Sequence, residues 1–430
     1  MINLSRRAAL KATSAAALLL QGCNTLRDAK SLSAGNVDPS SLAADESYWA
    51  KVASLYDVTD EITQLENGNW GIVARPVMEV YKTKIDFVNR RNSFWQRREY
   101  PAEYRQIIAK TAAMLGVQPE EIVFTRNATE ALHALISGYN KLKPGDTVMY
   151  ADHDYDSMIP AMNWLKERRG VDVVGISLPE PATRQGVIDT YAAALREHPK
   201  TKLLLLTHLG HRSGLVIPVG EIADLARAQG ADVIVDAAHS FGQIDFKLPD
   251  LKADFIGVNL HKWIGAPLGV GLAYIKRDRI QDIDPHFGAT TTYRASIESR
   301  VHPGTVSWAS YLSVPAAIDF HESIGVANKA ARLQHLRDLW AEPARANPKI
   351  EVLTPTDRSM YAGITCFRLK GKTSDADNIA LAKRLLDEFG IFTVHRIGLA
   401  KGACIRVTPA LFNSDRDVLK LRAALDVIAA

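Results

Sequence analysis

A lysine between two apolar runs is the first residue of this sequence that could do covalent chemistry. Lys262 lies in the segment GVNLHKWIGAPLGVGLAYI, residues 257–275, between runs that both resemble buried strands. A charged lysine without a partner is costly there, because desolvation favours the neutral amine. The neutral amine is nucleophilic, which is the state that a lysine needs to form a Schiff base. Lys262 is therefore the first catalytic candidate, and a lysine that snorkels out of a strand end is the alternative.

Two further polar features fall where predicted strands end. Asp236 closes the apolar run in ADVIVDAAHSFG, and a helix begins near Ala128 and Thr129 in FTRNATEALHAL. A helix start offers free N–H groups and a positive dipole to a phosphate, and a carboxylate keeps a pyridine nitrogen protonated. Taken singly, Asp236 could be a helix N-cap and Thr129 an ordinary first-turn residue. An anion site, an aspartate and a lysine in this order favour a site for pyridoxal 5'-phosphate.

The elements that must position these residues follow a repeated pattern of apolar strand and amphipathic helix. Continuous apolar strands that alternate with helices form a largely parallel sheet covered on both faces, so we predict an α/β fold. Ligands bind such sheets at the carboxyl ends of the strands. The seven predicted strands are 122–125, 148–151, 171–176, 203–207, 233–236, 255–259 and 270–275, with helices at 129–139 and 219–229 among those between them.

The pattern divides the chain into four parts. Residues 1–23 resemble an export signal, and residues 24–45 are a polar, small-residue stretch typical of a tether. Residues 46–305 are expected to form a large cofactor-binding domain that includes the N-terminal segment. Residues 306–430 change to a mixed helix and strand pattern, which predicts a smaller α+β domain.

The leader has a basic start, a short apolar run and then Leu20-Gln21-Gly22-Cys23. Its Ser5-Arg6-Arg7 stretch resembles a twin-arginine signal, and its end resembles a lipobox in which Cys23 would be lipidated. We therefore expect an exported, periplasmic protein that touches the membrane only through such an anchor. A short amphipathic N-terminal helix is the alternative.

Charge and cysteine content exclude several classes of protein. The formal net charge of +4 falls to +1 without the leader, whose Arg6, Arg7 and Lys11 have no acidic counterpart, so a nucleic-acid partner is not predicted. Three cysteines cannot form a disulfide framework or a four-thiolate zinc site, and no HExxH, P-loop or CxxC motif occurs. No metal site is predicted.

Several longer motifs resemble those of the class V aminotransferases, which are fold type I pyridoxal-phosphate enzymes. The resemblance runs from about residue 67 to the end, and HKW and PALFN favour the branch of isopenicillin N epimerase-like proteins. It implies a fold type I architecture with a smaller C-terminal domain. The motifs are NGNWG, TRNATEAL, DHDYDS, THLGHRSGLVIPV, VDAAHSFG, LHKWIGAPLGVG, HPGT and IRVTPALFN.

The resemblance implies a role for each matching residue. Lys262 would be the Schiff-base lysine and Asp236 the partner of the pyridinium nitrogen. His239 would lie near the ring hydroxyl, and Tyr155 would stack on the ring. Arg406 would bind the substrate carboxylate through its guanidinium fork. The phosphate would be lined by Ala128, Thr129, Asn259 and His261, with Gly304 and Thr305 of the partner subunit in a homodimer, and Asn67 and His211 would bind substrate.

Two departures from the family pattern bear on the reaction. His211 in THLGH stands where many relatives have an asparagine, which leaves the reaction subtype open. Desulfurases need a mobile cysteine on a loop, whereas Cys404 and Cys366 lie in apolar runs and are expected to be core residues. A cysteine desulfurase is therefore disfavoured.

An arginine-rich segment, NRRNSFWQRREY at residues 89–100, has two interpretations. It could be a solvated helix whose aromatic residues pack inward. Alternatively, Arg97 or Arg98 could reach a second carboxylate or an extended, peptide-like substrate.

These observations predict an exported pyridoxal-phosphate enzyme that acts on the amino group or Cα of an amino acid or amino-acid-containing metabolite. The freed Lys262 would act as general base at Cα. Return of the proton at C4′ would give transamination, and return at Cα from the opposite face would give epimerisation. A lyase or an oxidative tailoring enzyme for a secreted metabolite such as a siderophore is one alternative. A catalytically silent, lipid-anchored binding protein is another, but Lys262, Asp236 and Arg406 are all present.

Overall fold

The computed structural model describes residues 32, 35, 37–290 and 294–430. The predicted export signal, with Cys23 and the twin-arginine stretch, lies outside the described residues. Within the described residues, no helix is long and apolar enough to span a bilayer.

The helices and strands alternate through the middle of the chain and then give way to a second, smaller sheet. The strands are β1 (Thr63–Gln64), β2 (Ile122–Thr125), β3 (Thr147–Ala151), β4 (Asp172–Ile176), β5 (Thr201–Thr207), β6 (Asp232–Asp236), β7 (Phe255–Asn259), β8 (Gly271–Ile275), β9 (Ile350–Val352), β10 (Thr365–Leu369), β11 (Ile391–Phe392), β12 (Val394–Arg396) and β13 (Cys404–Val407). The helices are α1 (Pro39–Ala43), α2 (Glu46–Ala53), α3 (Arg75–Arg98), α4 (Tyr100–Leu115), α5 (Ala128–Gly138), α6 (Met158–Arg169), α7 (Arg184–Glu197), α8 (Val219–Ala228), α9 (Trp308–Leu312), α10 (Val314–Ile324), α11 (Val326–Ala346), α12 (Asp375–Phe389) and α13 (Asp415–Ile428).

Among the described residues, seven strands form the large sheet in the order β2-β8-β7-β6-β5-β3-β4. Its neighbours are parallel except where β8 pairs with β2 and β7. Side chains alternate between two apolar cores, so that Leu204 and Leu206 face one core while Leu203 and Leu205 face the other. The predicted α/β fold of the fold type I class is therefore confirmed, with every predicted strand present within two residues of its predicted bounds.

The second sheet has the order β12-β13-β10-β9 and is antiparallel throughout. β1 pairs in parallel with β11, so the N-terminal segment joins this C-terminal part of the chain. The small-domain boundary at residue 305 stays a prediction.

The segment predicted as a tether, residues 24–45, contains packed structure. α1 lies against α11, and its Leu42 and Ala43 are buried. Asp38 accepts a hydrogen bond from the Ser41 amide and caps the helix. Packed structure thus begins before residue 46, because two apolar side chains in this polar stretch meet a neighbouring helix.

The arginine-rich segment is helical but bent. Asn92 has φ 47° and ψ −144°, which breaks the regular helix inside α3. Trp95 is fully buried and donates to Glu103 Oε1 at 2.7 Å, whereas Phe94 is exposed. Arg97 and Arg98 do not line the main cavity, so the interpretation as a solvated helix describes most of this segment.

Candidate active site

A cavity of about 480 Å³ opens at the carboxyl edge of the large sheet. Parallel strands direct their carboxyl ends to one edge, and this is where ligands bind in such sheets. The cavity wall includes ten of the predicted site residues, which are Ala128, Thr129, Tyr155, His211, Asp236, His239, Asn259, His261, Lys262 and Thr305. Their roles toward the cofactor and the substrate stay predictions.

Lys262 follows β7 in a turn that approaches the N-terminal segment closely. Its Nζ lies 2.9 Å from His239 Nε2, and burial lowers the pKa of the amine to about 7. The charges of Asp236 and Glu66 oppose this shift, and that of Arg406 adds to it. The amine therefore loses its proton near neutral pH, far below the pH at which an exposed lysine does so.

Gly71 is required where the N-terminal segment meets this turn. A Cβ at Gly71 would lie 2.4 Å from the Lys262 carbonyl oxygen, closer than atoms can pack. The Gly71 amide instead donates to the His261 carbonyl oxygen at 3.2 Å. The NGNWG motif thus supports the backbone of the lysine.

Asp236 is the last residue of β6 and is buried. Its Oδ1 accepts from the Ala238 amide at 2.8 Å. Burial raises the pKa of the Asp236 carboxyl, while the Ala238 hydrogen bond and the Lys262 charge act against that rise. A cationic ring nitrogen near this carboxylate would supply the counter-charge that the site otherwise draws from Lys262.

The start of α5 forms another wall of the cavity. Asn127 caps the helix by accepting from the Glu130 amide at 2.8 Å, and the Ala128 amide donates to Asn259 Oδ1 at 2.8 Å. The Ala128 amide is therefore engaged within the chain and is not a free donor for a phosphate. Thr129, in the first turn, brings a backbone N–H without an intrahelical acceptor and a hydroxyl to the same wall.

His261 lines the cavity with one ring nitrogen fixed. His261 Nδ1 lies 2.9 Å from the Val270 carbonyl oxygen, and burial lowers the pKa of the ring to about 4. A carbonyl oxygen only accepts, so Nδ1 carries the proton and donates. Together the helix start, the buried carboxylate and the neutral lysine fit pyridoxal phosphate in donor type and charge.

Arg406 does not line the cavity, and its guanidinium is engaged. Both Nε, at 3.3 Å, and Nη2 bond the carboxylate of buried Glu66, and Nη1 donates to the His211 carbonyl oxygen at 3.0 Å. A Cβ at Gly68 would lie 2.8 Å from the Arg406 guanidinium carbon, so glycine allows this packing. Arg406 is thus not a free carboxylate clamp as predicted, because Glu66 already occupies its fork.

Asn67 and Gly304 also lie outside the cavity wall. The Asn67 side chain donates to the Thr408 carbonyl oxygen at 2.9 Å and so joins the N-terminal segment to β13. Gly304 lines a neighbouring groove with Tyr100, whereas Thr305 lines the cavity of its own chain. A contribution of Gly304 and Thr305 from a partner subunit stays a prediction.

His211 and Tyr155 meet at the cavity wall with ring centroids 5.0 Å apart in an edge-to-face arrangement. Burial lowers the pKa of His211 to about 3, so the ring is neutral. Its Nε2 lies 3.4 Å from Asp156 Oδ2, a contact that acts against the larger effect of burial on the pKa of His211.

Three contributors near the site were missed from the sequence. Asp154 is buried and accepts from the Thr207 hydroxyl at 2.7 Å, and burial raises the pKa of its carboxyl to about 7. Glu66 pairs with Arg406, and Arg396 lies 3.8 Å from Glu66 Oε1. Asp154 follows β3 directly, which was an available signal, whereas the pairing of Glu66 depends on a contact 340 residues away.

Comparisons with known proteins agree with this arrangement. The family model described as Aminotransferase class-V matches residues 75–418. An isopenicillin N epimerase from Amycolatopsis lactamdurans is 27% identical over 408 residues, covering 88% of this chain and 98% of that protein.

Solved structures show the same fold. The cysteine desulfurase CsdA from Escherichia coli matches with a TM-score of 0.74 at 19% identity, over 88% of this chain and 98% of that one. A C-DES variant with glycine covalently linked to its pyridoxal-phosphate cofactor matches with a TM-score of 0.70 at 22% identity, over 85% of this chain and 96% of that one.

Proposed function

Because the chain belongs to the class-V aminotransferase family, whose cofactor is pyridoxal 5'-phosphate, we propose that it acts on the amino group or Cα of an amino acid or amino-acid-containing metabolite. The observation that carries the proposal is the Lys262 amine, which lies in the cavity wall beside Asp236 and bonds His239. When bound, the cofactor supplies a carbonyl that condenses with amines and a ring that takes up an electron pair.

Lys262 is the residue that moves the proton. A neutral amine accepts a proton, and its pKa of about 7 makes it an effective base near neutral pH. Asp236 would hold a proton on the ring nitrogen. His239, 2.9 Å from Lys262 Nζ, lies close enough to orient the amine.

We propose that Arg396, which lies 3.8 Å from Glu66 outside the cavity wall, receives the substrate carboxylate. Two guanidinium groups share the single carboxylate of Glu66, which leaves one unbalanced positive charge. Arg396 Nε is buried and has no hydrogen-bond partner among the described residues. Because a buried unpaired donor is costly, an incoming carboxylate would satisfy both the donor and the charge.

The fate of the substrate depends on where the proton returns. Epimerisation needs a second group that carries a proton at Cα, and His211 is an imidazole in the cavity wall whose Nε2 lies 3.4 Å from the Asp156 carboxylate. This observation favours epimerisation. Aminotransfer is the second candidate, because Lys262 alone can carry the proton away from Cα and deliver it to the cofactor carbon.

Sulfur transfer has little support in the cavity. Cys366 and Cys404 are buried in β10 and β13, and no cysteine of the described residues lines the cavity. The proposal therefore does not include a persulfide-carrying thiol.

The test uses purified protein with pyridoxal phosphate and a panel of L- and D-amino acids in heavy water. We expect deuterium to enter at Cα in the wild type and not in Lys262→Ala, and borohydride reduction followed by peptide mapping should place a pyridoxyl label on Lys262. Chiral chromatography then distinguishes epimers from keto acids and elimination products. A protein that neither binds the cofactor nor exchanges any Cα proton would overturn the proposal and favour the silent binding protein.

The His211→Asn variant distinguishes epimerisation from aminotransfer. We expect it to abolish formation of the opposite enantiomer while Cα exchange with retention continues. Equal loss of both reactions would contradict a specific role of His211 in returning the proton.

We propose two further properties that the predicted leader and the family suggest. Export would be tested by cell fractionation of the full chain beside the double variant Arg6→Lys, Arg7→Lys, which should stay in the cytoplasm. Assembly as a homodimer would be tested by light scattering of the purified protein, and a monomeric mass would contradict it.

A further inference from the structure

Three side chains at the lysine turn form a short hydrogen-bonded series. Trp263 Nε1 lies 3.4 Å from His239 Nδ1, and His239 Nε2 lies 2.9 Å from Lys262 Nζ. His239 is thus bonded at both ring nitrogens, and the chemistry of its two partners decides where its proton is.

The indole nitrogen of Trp263 carries a hydrogen and can only donate. His239 Nδ1 must therefore accept, which leaves it without a proton. Burial lowers the pKa of His239 well below its usual value, and the Lys262 charge adds to the shift, so the ring is neutral. A neutral imidazole has one proton, which then lies on Nε2 and is donated to Lys262 Nζ.

An ammonium group cannot accept that hydrogen bond, because it has no lone pair. We infer that Trp263 is a positioning residue that sets the tautomer of His239 and, through it, stabilises the neutral amine of Lys262. The inference rests on the proposed role of Lys262 and adds a cause for its nucleophilic state. It concerns the chain before the lysine has reacted.

The opposite tautomer is disfavoured by the same contacts. A proton on His239 Nδ1 would face the indole N–H, so two donors would meet at 3.4 Å. Without the indole N–H, the ring could place its proton on Nδ1 and accept at Nε2 from a charged Lys262. Removing one hydrogen-bond donor should therefore raise the pH at which the amine loses its proton.

Trp263 is held firmly enough to exert this effect. Its carbonyl oxygen accepts from the buried Lys329 Nζ at 2.6 Å, and the side chain is 9% exposed. A Cβ at Gly242 would lie 3.0 Å from the Trp263 Cβ, so glycine allows the indole to pack against this loop.

Other charged groups near the Lys262 amine also shift its pKa. Asp236 and Glu66 favour the ammonium form, whereas Arg406 and Arg396 disfavour it. His239 also faces Lys262, Arg406, His211 and Arg396, all of which favour its neutral form. Trp263→Phe alters none of these charges, so a shift in that variant reports the indole hydrogen bond.

The first test measures the reactivity of Lys262 directly. The full chain is stripped of cofactor, shown to take it up again, and labelled with trace acetic anhydride across pH 5–10, followed by peptide mapping. We expect a wild-type midpoint near pH 7 and a rise of about one pH unit in Trp263→Phe, which is a roughly tenfold fall in labelling at pH 6. An unchanged midpoint in a folded Trp263→Phe would overturn the inference.

Trp340→Phe is the matched control. Trp340 is fully buried, and its Nε1 has no hydrogen-bond partner among the described residues. This variant loses a buried indole without losing a donor to histidine, so its Lys262 midpoint should equal that of the wild type. An equal shift in both variants would show a general packing effect and contradict the inference.

The second test reads the tautomer of His239 in the wild-type protein. Nitrogen-15 histidine NMR of the stripped wild-type protein should show His239 protonated at Nε2 and bare at Nδ1, with the signal identified by its loss in His239→Gln. A proton on Nδ1 would overturn the inference. Neither test needs turnover, so failure of the proposed reaction would be seen separately in the Cα exchange experiment.

Discussion

The two edges of the large sheet differ in how completely their charged side chains are paired. β6 begins with Asp232 and ends with Asp236. At the amino edge, Arg279 bonds Asp232, Asp254 and Asp282, and the Tyr139 hydroxyl also donates to Asp232 at 2.6 Å. At the carboxyl edge, Asp236 bonds only backbone among the hydrogen bonds described.

The difference lies in how fully each charge is paired. Although burial opposes it, hydrogen bonds to Asp232 and Asp282 raise the pKa of Arg279, so that group stays charged. Burial instead lowers the pKa of Lys262 and raises that of Asp236. Paired charges fix structure, whereas charges left short of partners are available to a ligand.

Lys262→Ala should give the largest effect. Loss of the base should lower the rate of Cα proton exchange by roughly 10²–10⁴-fold. The midpoint of thermal unfolding should change little, because removal of a costly buried amine offsets the loss of its hydrogen bond with His239. Exchange rates and calorimetry on the same preparation check both. A Lys262→Ala protein that keeps the wild-type rate of Cα proton exchange would contradict the proposed contrast between the two edges of the large sheet.

The two aspartates of β6 offer a matched pair. Asp236→Asn should lower kcat by roughly 10²-fold and leave stability nearly unchanged, because its charge serves the ligand. Asp232→Asn should leave kcat within about twofold and cost about 1–3 kcal/mol of unfolding free energy, because Arg279 and Tyr139 lose a partner. Kinetics and urea unfolding measure both, and exchanged outcomes would refute the comparison.

The Arg396→Gln variant tests whether an incompletely paired arginine binds the substrate carboxylate. We expect KM for a carboxylate substrate to rise roughly 10- to 100-fold with kcat less affected, since a charge-assisted hydrogen bond is worth about 1.5–3 kcal/mol. Arg368→Gln is the control, because Arg368 is a buried arginine of the same small sheet that pairs with Glu180 and Glu351. That variant should lose stability and keep its KM.

The smallest expected effect is the change with pH in the rate at which the stripped protein captures pyridoxal phosphate. Because the pKa of Lys262 is lowered to about 7, its neutral fraction rises from about a tenth at pH 6 to about nine tenths at pH 8. Capture of pyridoxal phosphate by the stripped protein should therefore accelerate about tenfold over this range. Stopped-flow absorbance measures the rate, and a flat profile would mean that the amine is not the limiting group.

Local patterns predicted the parts of the site that follow strands. The strand ends placed Asp236 and Lys262 at one edge, and the helix start placed Thr129 beside them. Strand periodicity carries that information, because it fixes both the direction of each strand and the edge at which it ends.

The rest of the site depends on contacts between distant parts of the chain. The family pattern marked Arg406 as a carboxylate clamp, but a glutamate 340 residues earlier occupies it. The indole bond from Trp263 to His239 joins residues on different turns, and its effect on a proton has no sequence pattern. The proposed role of Arg396 had no local signal in the sequence.

The pairing of Glu66 with Arg406 also constrains the order in which the protein can mature. During synthesis, Lys262 and Asp236 emerge long before residue 406, so the cofactor half of the site can assemble first. Until β13 is made, Glu66 lacks the Arg406 guanidinium that bonds its carboxylate in the complete fold. The ion pair of Glu66 with Arg406 therefore forms only when nearly the whole chain has left the ribosome.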